Sequence, residues 1–326
     1  MILSRRKLLS ASFATAAAVV SPCLGRAGAY PVKPVRVIVP FAAGGPNDVA
    51  ARLIAQGLSD RLGQQFYVEN IGGAGGNVGT GQASRAAADG YTILTVAPSY
   101  AANPALFDNV PYDPVKSFDP VTLAATAPTV LTVHPSVPAA TVTELINAIK
   151  DTPGKYSYAS PGTGTPPHLL GELFRLSLNL DMVHVPFSSG GQAIQSTLAG
   201  HTPISFGALP PAVQHVREGA LRALAITSTT PADALPGVPT IAQAGYPDFA
   251  ADIWTAVLVP AGTPKDIVAL LQREIARLIV SPDIRDRMAA LGYHPVGDTP
   301  DECAEHIRVE ATRWAKVIQE AGIKVR

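Results

Sequence analysis

The sequence contains little charge, few aromatic residues and almost no cysteine. Charged residues make up 15% of the 326 residues and aromatic residues 6%, and Cys23 and Cys303 are the two cysteines. Cys23 falls in a predicted leader, and the single remaining cysteine excludes an internal disulfide and a thiolate metal site. The seven histidines are scattered without metal-ligand spacing. We therefore predict a protein without a metal or a cofactor.

Basic runs and long apolar runs are also missing beyond the first 29 residues. Basic and acidic residues number 25 each, but four of the basic ones lie in that segment, which holds no acidic residue. The remaining chain is mildly acidic, which excludes binding to nucleic acid through a basic surface. No apolar run there approaches the roughly 20 residues of a membrane span. We expect a soluble monomer with two domains, a common number for this length.

Residues 1–29 are predicted to be an export signal, which implies a periplasmic protein. Arg5, Arg6 and Lys7 form the charged region, an apolar region follows, and residues 27–29 fit a small-x-small cleavage site. The two arginines also fit a twin-arginine signal. The general secretory route and the twin-arginine route therefore both remain open.

Units of strand, glycine-containing turn and helix recur along the chain, which predicts an α/β fold. The first unit has an apolar strand at 35–39, a turn at 42–47 and an amphipathic helix. Right-handed crossovers between parallel strands place such turns at the C-terminal edge of a sheet. We predict that residues 30–126 and 253–326 form domain 1 and that residues 127–252 form domain 2.

Proline determines two further local predictions. Residues 103–104 and 111–120 contain prolines and are predicted to be loop. Thr263, Ser281 and Thr299 each precede a proline, and this pair of residues is typical of a helix start with a side-chain cap. We expect three structural helices to close the chain.

Four glycine-rich turns open predicted helices, at residues 44–45, 72–76, 162–164 and 190–191. A single such turn most often only lets the backbone turn tightly. Four turns, two in each half, indicate two groups of loops that face each other across a cleft. None matches a nucleotide motif, because residue 78 is valine where glycine is needed and no Gly-Lys-Ser/Thr follows a turn. Helix N-termini favour an anion, and without a nucleotide motif a carboxylate is a better candidate ligand than a phosphate chain.

Residues with catalytic potential are few. The sequence has no Gly-x-Ser-x-Gly elbow and no His-Glu-x-x-His helix, so we predict that the protein is not an enzyme. Asp48 has two open interpretations: an acid that stabilises the helix dipole, or a partner for a ligand amine, a ligand hydroxyl or ordered water. His168 is expected to line the pocket or cap its turn, and His184 to be structural.

Long blocks of sequence follow one another in an order that is typical of one family. These blocks are residues 30–48, 68–79, 89–94, 158–169, 184–186, 221–225, 239–245 and 260–264. Together they resemble the extracytoplasmic solute receptors of tripartite tricarboxylate transporters, the Bug-type receptors. The resemblance covers nearly the whole chain after the leader and is more specific than any single glycine turn.

The resemblance implies a two-domain periplasmic binding protein, a Venus flytrap of type II-like topology with two crossover segments. It implies a cleft for a small organic carboxylate and, as partners, the permease subunits of a tripartite membrane transporter. We expect these residues to bind the ligand: Phe41, Ala43, Gly44, Asn47, Asp48, Ala74, Gly75, Ser99, Ser160, Gly162, Thr163, Gly164, Thr165, His168, Phe187 and Gly207.

Three departures from the family pattern bear on the ligand. Ala42 replaces a proline, which loosens its turn, and residues 187–190 replace the usual Tyr-Lys-Gly. Gly207 stands where an aspartate commonly follows Phe206, so a partner for a ligand amine is absent. We therefore expect a plain or hydroxylated carboxylate, larger or aromatic acids included, rather than an amino acid.

Two other functions are compatible with parts of the sequence. A receptor of this kind also suits a two-component signalling system, and the sequence does not separate sensing from transport. An exported hydrolase or isomerase could use Asp48 and His168, but no nucleophile accompanies the pair. Transport of a carboxylate is the function that we predict.

Overall fold

A mixed ten-stranded sheet organises the molecule. The computed structural model describes residues 30–290 and 292–323, so the predicted export signal lies outside the described residues. Within those two ranges, no helix is both long enough and apolar enough to cross a membrane.

Strands and helices alternate in both halves of the chain, which confirms the predicted α/β class. The first part contains β1 (Val35–Val39), α1 (Pro46–Leu62), β2 (Phe66–Asn70), α2 (Asn77–Ser84), β3 (Thr92–Val96) and α3 (Ser99–Leu106). The middle part contains β4 (Phe118–Val133), α4 (Val142–Asp151), β5 (Tyr156–Ser160), α5 (Pro166–Ser177), β6 (Met182–Pro186), α6 (Gly190–Leu198), β7 (Ile204–Ala208), α7 (Leu209–Arg217) and β8 (Arg222–Ile226). The last part contains β9 (Asp252–Pro260), α8 (Lys265–Ile279), α9 (Pro282–Ala290), β10 (His294–Pro295) and α10 (Pro300–Ala321).

Local sequence explains why these elements form. β1 is almost wholly apolar because helices cover both faces of the sheet at this point. α4 buries Val142, Leu145, Ile146 and Ile149, whose three- and four-residue spacing places them on one face of a helix. Its N-cap Thr141 accepts a hydrogen bond from the backbone of the first turn.

The strands are ordered β2-β1-β3-β9-β4-β7-β5-β6, and β8 and β10 also pair with β4. β1 is parallel to β2 and β3, and β5 is parallel to β6 and β7. β4 and β9 are antiparallel to each other. We call the part built on β1, β2, β3 and β9 the first lobe, and the part built on β5, β6, β7 and β8 the second lobe.

The long strand β4 connects the two lobes. It pairs with β9 as far as Pro128, and from Thr129 it pairs with β7 and β8. The returning chain lies beside it: Thr227 N donates to Thr129 O at 2.8 Å, and Ala251 N donates to Thr227 O at 3.1 Å. The two connecting segments are thus bonded to each other, an arrangement that suits a hinge.

Helix α10 packs on both lobes. Cys303 and Ile307 lie in the core of the first lobe, whereas Val317 and Ile318 lie in the core of the second. The domain boundaries predicted from the sequence stay a prediction, and α10 contacts both of the predicted domains.

The predicted loop at residues 103–104 is wrong, because these residues lie inside α3. Pro104 has no N–H to donate to the carbonyl of Tyr100 one turn earlier. The hydroxyl of Tyr112 donates to that carbonyl at 3.1 Å instead, and the two tyrosine rings stack at 5.1 Å. A side chain from outside the helix therefore compensates for the proline.

The three predicted helix caps have different outcomes. The hydroxyl of Ser281 donates to Leu278 O, in the preceding helix, at 2.6 Å. Thr299 caps α10 and forms a capping box with Glu302, as expected. The prediction for Thr263 is wrong, since its hydroxyl donates to Pro260 O at 2.7 Å and α8 begins two residues later.

The hydrogen bond from the Tyr112 hydroxyl to Tyr100 O leads to a testable prediction. Tyr112→Phe leaves the buried Tyr100 carbonyl without its donor, and we expect a loss of about 1–2 kcal/mol in unfolding free energy. Pro104→Ala restores an N–H to the helix, so the same tyrosine substitution should cost less than about 0.5 kcal/mol in that background. Urea unfolding of the four proteins measures the coupling, and Tyr67→Phe on the exposed surface is the control. Equal costs in both backgrounds would contradict this account.

Candidate functional site

The loops that follow β1, β2 and β3 lie at one edge of the first lobe. Parallel strands bring their C-terminal ends to the same edge of a sheet. This edge carries these predicted site residues: Phe41, Ala43, Gly44, Asn47, Asp48, Ala74, Gly75 and Ser99. The C-terminal ends of β5, β6 and β7 form the equivalent edge of the second lobe. It carries the remaining predicted residues: Ser160, Gly162, Thr163, Gly164, Thr165, His168, Phe187 and Gly207.

Asp48 holds the first loop in shape. Its side chain is buried, and its carboxylate accepts hydrogen bonds from Gly44 N at 2.8 Å, Asn70 Nδ2 at 2.8 Å and Arg52 Nε at 3.0 Å. Burial alone would raise the pKa of Asp48, but these hydrogen bonds and the charge of Arg52 together hold it below its usual value. Both carboxylate oxygens are therefore used within the loop.

Asn47 anchors the start of α1 to the sheet. Its amide donates to Val96 O at 3.0 Å and accepts from Thr95 Oγ1 at 3.1 Å. The side chains of Asn47 and Asp48 thus fix the backbone of the turn. Within this turn the N–H of Gly44 is bound by Asp48, and Pro46 has no N–H.

Among the described residues, most helices that begin at these two edges have no side-chain cap. The cap position of α1 is Gly45 and that of α2 is Gly76. At α5 the cap residue is Thr165, but its hydroxyl donates to Gly162 O at 2.7 Å. By contrast, Ser189 caps α6.

α1 begins with Pro46 and α5 with Pro166 and Pro167, which have no N–H, so the first free N–H groups belong to Asn47 and to His168. These N–H groups and the positive end of the helix dipole are suited to a carboxylate.

Two buried polar groups behind the first-lobe loops have no hydrogen-bond partner among the described residues: the hydroxyl of Ser99 and the amide nitrogen of Asn77. Asn77 Oδ1 accepts from Asn103 Nδ2 at 2.7 Å, which fixes the orientation of the Asn77 amide. Buried donors are nearly always satisfied, so these two are candidates to bind a ligand or ordered water. Sequence reasoning expected Ser99 and missed Asn77, although Asn77 directly follows the 72–76 glycine run at the start of a helix.

Two histidines shape the second-lobe edge. His168 Nδ1 accepts from Gly164 N at 3.0 Å, so His168 caps its turn, one of the two roles expected for it. Nε2 of His168 therefore carries the proton. His184 Nε2 lies 2.7 Å from the hydroxyl of Ser160, which also accepts from Gly162 N at 3.2 Å. The two imidazole rings pack at 4.0 Å.

Both histidines are neutral near pH 7. Burial, with His184 beside it, lowers the pKa of His168 to about 3, and burial lowers the pKa of His184 to about 4. Below them the carboxylate of Glu172 accepts from Tyr158 at 2.6 Å and from Arg175 at 2.7 Å. The charges at this edge are thus paired, and the loops present neutral donors.

The remaining second-lobe residues differ in exposure. Phe187 is half-buried and donates its N–H to Ser160 O at 3.0 Å. Gly207 is buried in β7 opposite Val130, and Thr163 is exposed. Among the described residues, no three metal-ligating side chains lie close enough together to hold a metal ion.

Comparison with known proteins identifies the family. The profile of the tripartite tricarboxylate transporter family receptor matches residues 50–323. The chain belongs to this family. Protein BugT of Bordetella pertussis is 38% identical over 302 residues, which cover 92% of this chain and 93% of BugT.

Solved structures of this receptor family share the fold. Periplasmic binding protein BugD matches with a TM-score of 0.78 and 32% identity, over 91% of this chain and 100% of BugD. A Rhodopseudomonas palustris protein solved with adipate matches with a TM-score of 0.81 and 32% identity, over 91% and 100% of the two chains. MatC from the same organism, solved with malate, matches with a TM-score of 0.77 and 33% identity, over 89% and 100%. The protein is thus a solute-binding receptor with the fold of periplasmic binding proteins, and its family is not one of enzymes.

The network around Asp48 predicts a cost in stability. In Asp48→Asn, an amide N–H would face a donor where the carboxylate now accepts, so we expect about 1–3 kcal/mol less unfolding free energy. Asp60→Asn, on the exposed face of the same helix, is the matched control and should change it by less than about 0.5 kcal/mol. Urea unfolding compares the two variants. An Asp48 variant as stable as the control would contradict the proposed role in the loop.

The neutral histidines predict a dependence of stability on pH. Their folded pKa values lie below the ordinary value near 6.5, so the unfolded chain binds more protons and stability falls as pH drops from about 6.5 towards about 4. Between about pH 7 and pH 5 we expect a loss on the order of 2–4 kcal/mol for the pair. The fall in melting temperature from pH 7 to pH 5 should be smaller in the variant that combines His168→Asn with His184→Asn.

This experiment needs a matched control, and it must take account of Asp252, whose titration has the opposite effect on stability. His201→Asn, at an exposed site, should keep the wild-type dependence on pH. Asp252, whose pKa burial and the charge of Glu310 raise to about 6, contributes a slope of opposite sign, but it is present in all three proteins. An unchanged slope in the double variant would show that these histidines are not responsible.

Proposed function

We propose that this receptor captures a small organic carboxylate between its two lobes in the periplasm and delivers it to the permease subunits of a tripartite transporter. The observation that carries this proposal is the pair of helix starts without a side-chain cap at the two edges, at α1 and at α5, where the first backbone N–H groups belong to Asn47 and to His168. Together with the Ser99 hydroxyl, they offer neutral donors to an anion from both lobes. Contacts to both lobes are what a ligand needs in order to favour the closed state.

The relatives support a carboxylate ligand. One structure of similar fold holds adipate and another holds malate, and neither acid carries an amine. In the chain described here, the carboxylates of Asp48 and Glu172 are paired with Arg52 and Arg175. Gly207 supplies no side chain that could bind an ammonium group. An acid without an amine is therefore the ligand class that we propose.

Calorimetry with the purified receptor tests this ligand class. We expect malate, adipate, benzoate or a related amine-free acid to bind, and aspartate and glutamate not to bind. Saturation at about 100 times the dissociation constant should add roughly 2.7 kcal/mol to the stability of the folded state. Tight binding of aspartate or glutamate, with none of the amine-free acids, would refute the proposal.

Substitution of Ser99 tests whether the acid binds at the first-lobe edge. Ser99→Ala should weaken binding of the acid about five- to tenfold, the effect of one lost hydrogen bond. Ser177→Ala, exposed at the far end of α5, is the matched control and should bind as the wild type does.

For the transport step, uptake of the labelled acid by vesicles that contain the permease should require added receptor. Uptake that does not depend on the receptor would argue for a role in sensing.

A further inference from the structure

The C-terminal end of α3 lies between the two groups of loops. A Cβ atom placed on Gly75 would lie 3.3 Å from the ring of Phe107, and one placed on Gly164 would lie 3.0 Å from Leu106 Cδ1. Gly75 belongs to the edge of the first lobe and Gly164 to the edge of the second. Leu106 and Phe107, which we call the end wall, therefore lie beside both groups of loops.

The end wall is fixed to the first lobe. Asn103, one turn earlier, donates to Gly75 O at 3.0 Å and to Asn77 Oδ1 at 2.7 Å. Phe107 N in turn donates to Asn103 O at 3.0 Å. These bonds link the end wall to the loop and helix start that carry Gly75 and Asn77.

The end wall also packs on the second lobe. Leu106 is 2% exposed and belongs to the core cluster that contains Leu131 and Leu169, and Phe107 packs against that cluster. Phe107 is only half-buried, and its ring lies beside the exposed Gly75. Phe107 thus keeps part of its surface exposed at the place where the two edges meet.

The wall is apolar in a site whose donors are backbone amides and neutral side chains. A carboxylate held at those donors carries a carbon skeleton, and each buried methylene contributes about 0.8 kcal/mol. Carbon against Phe107 is favourable, but a rigid ring leaves no space for additional atoms. A wall of this kind limits length as well as providing contact.

We propose that the end wall selects the ligand by the length of its carbon skeleton, with Phe107 as the specificity-determining residue. The inference rests on the proposed function, because it requires an acid bound between the lobes. Acids that reach the ring gain contact with it, and longer acids collide with it or prevent the lobes from closing. Leu106 supports the ring from the core.

Calorimetry on Phe107→Ala with succinate, adipate and suberate tests the proposal. Truncation of the ring frees space at the end of the cleft, so the affinity for suberate relative to succinate should rise roughly fourfold for each methylene admitted, or about 15-fold for two. Phe107→Leu should give an intermediate ratio. Tyr67→Ala removes an exposed aromatic ring from β2 and should leave the ratio at its wild-type value.

The outcomes separate this inference from the function on which it rests. If the wild type binds none of these acids or their aromatic relatives, the proposed carboxylate binding is refuted, and selection by length is refuted with it. If the wild type binds them and folded Phe107→Ala keeps the same ratio, only the end wall is refuted. If Phe107→Ala binds all three acids more weakly by the same factor, the proposal is also refuted. That result would mean that Phe107 contacts every acid and does not select by length.

Discussion

The free N–H groups at the start of a helix need an acceptor, and the organisation of this receptor follows from that requirement. Where α4 and α10 begin, Thr141 and Thr299 supply the acceptor. Where α1 begins, the cap is Gly45, and where α5 begins, the hydroxyl of Thr165 is turned away towards Gly162. In the function that we propose, an anion between the lobes is the acceptor for the N–H groups that remain at these two helix starts.

The charged groups at the two edges are paired with each other, so the recognition that we propose uses neutral donors. Asp48 with Arg52, and Glu172 with Arg175, are paired within their own lobes. Burial keeps His168 neutral, so it fixes its loop without adding charge. Neutral donors bind strongly only when several converge, and convergence here requires both lobes. In the proposed function, specificity therefore depends on lobe closure more than on any single charge.

Local patterns in the sequence predicted much of the fold, and tertiary contacts account for the rest. β1 has the predicted bounds, 35–39, since a glycine-containing turn follows its apolar run. α3 was missed because Tyr112 donates to the carbonyl that Pro104 leaves free. The loops of the site were predicted from their glycines, but the role of Asp48 was left open. Its partner Asn70 is 22 residues away in sequence, and no local pattern reveals that bond.

Both tryptophans of the chain donate to one buried carboxylate at the junction of the lobes. Trp254 Nε1 in β9 and Trp314 Nε1 in α10 donate to Glu310 Oε2 at 3.1 Å and 2.8 Å. Trp254 belongs to the core of the first lobe and Trp314 to the core of the second. A rotation of one lobe against the other changes the surroundings of both indoles at once. Their intrinsic fluorescence is thus a built-in optical reporter of the motion, and no dye has to be attached.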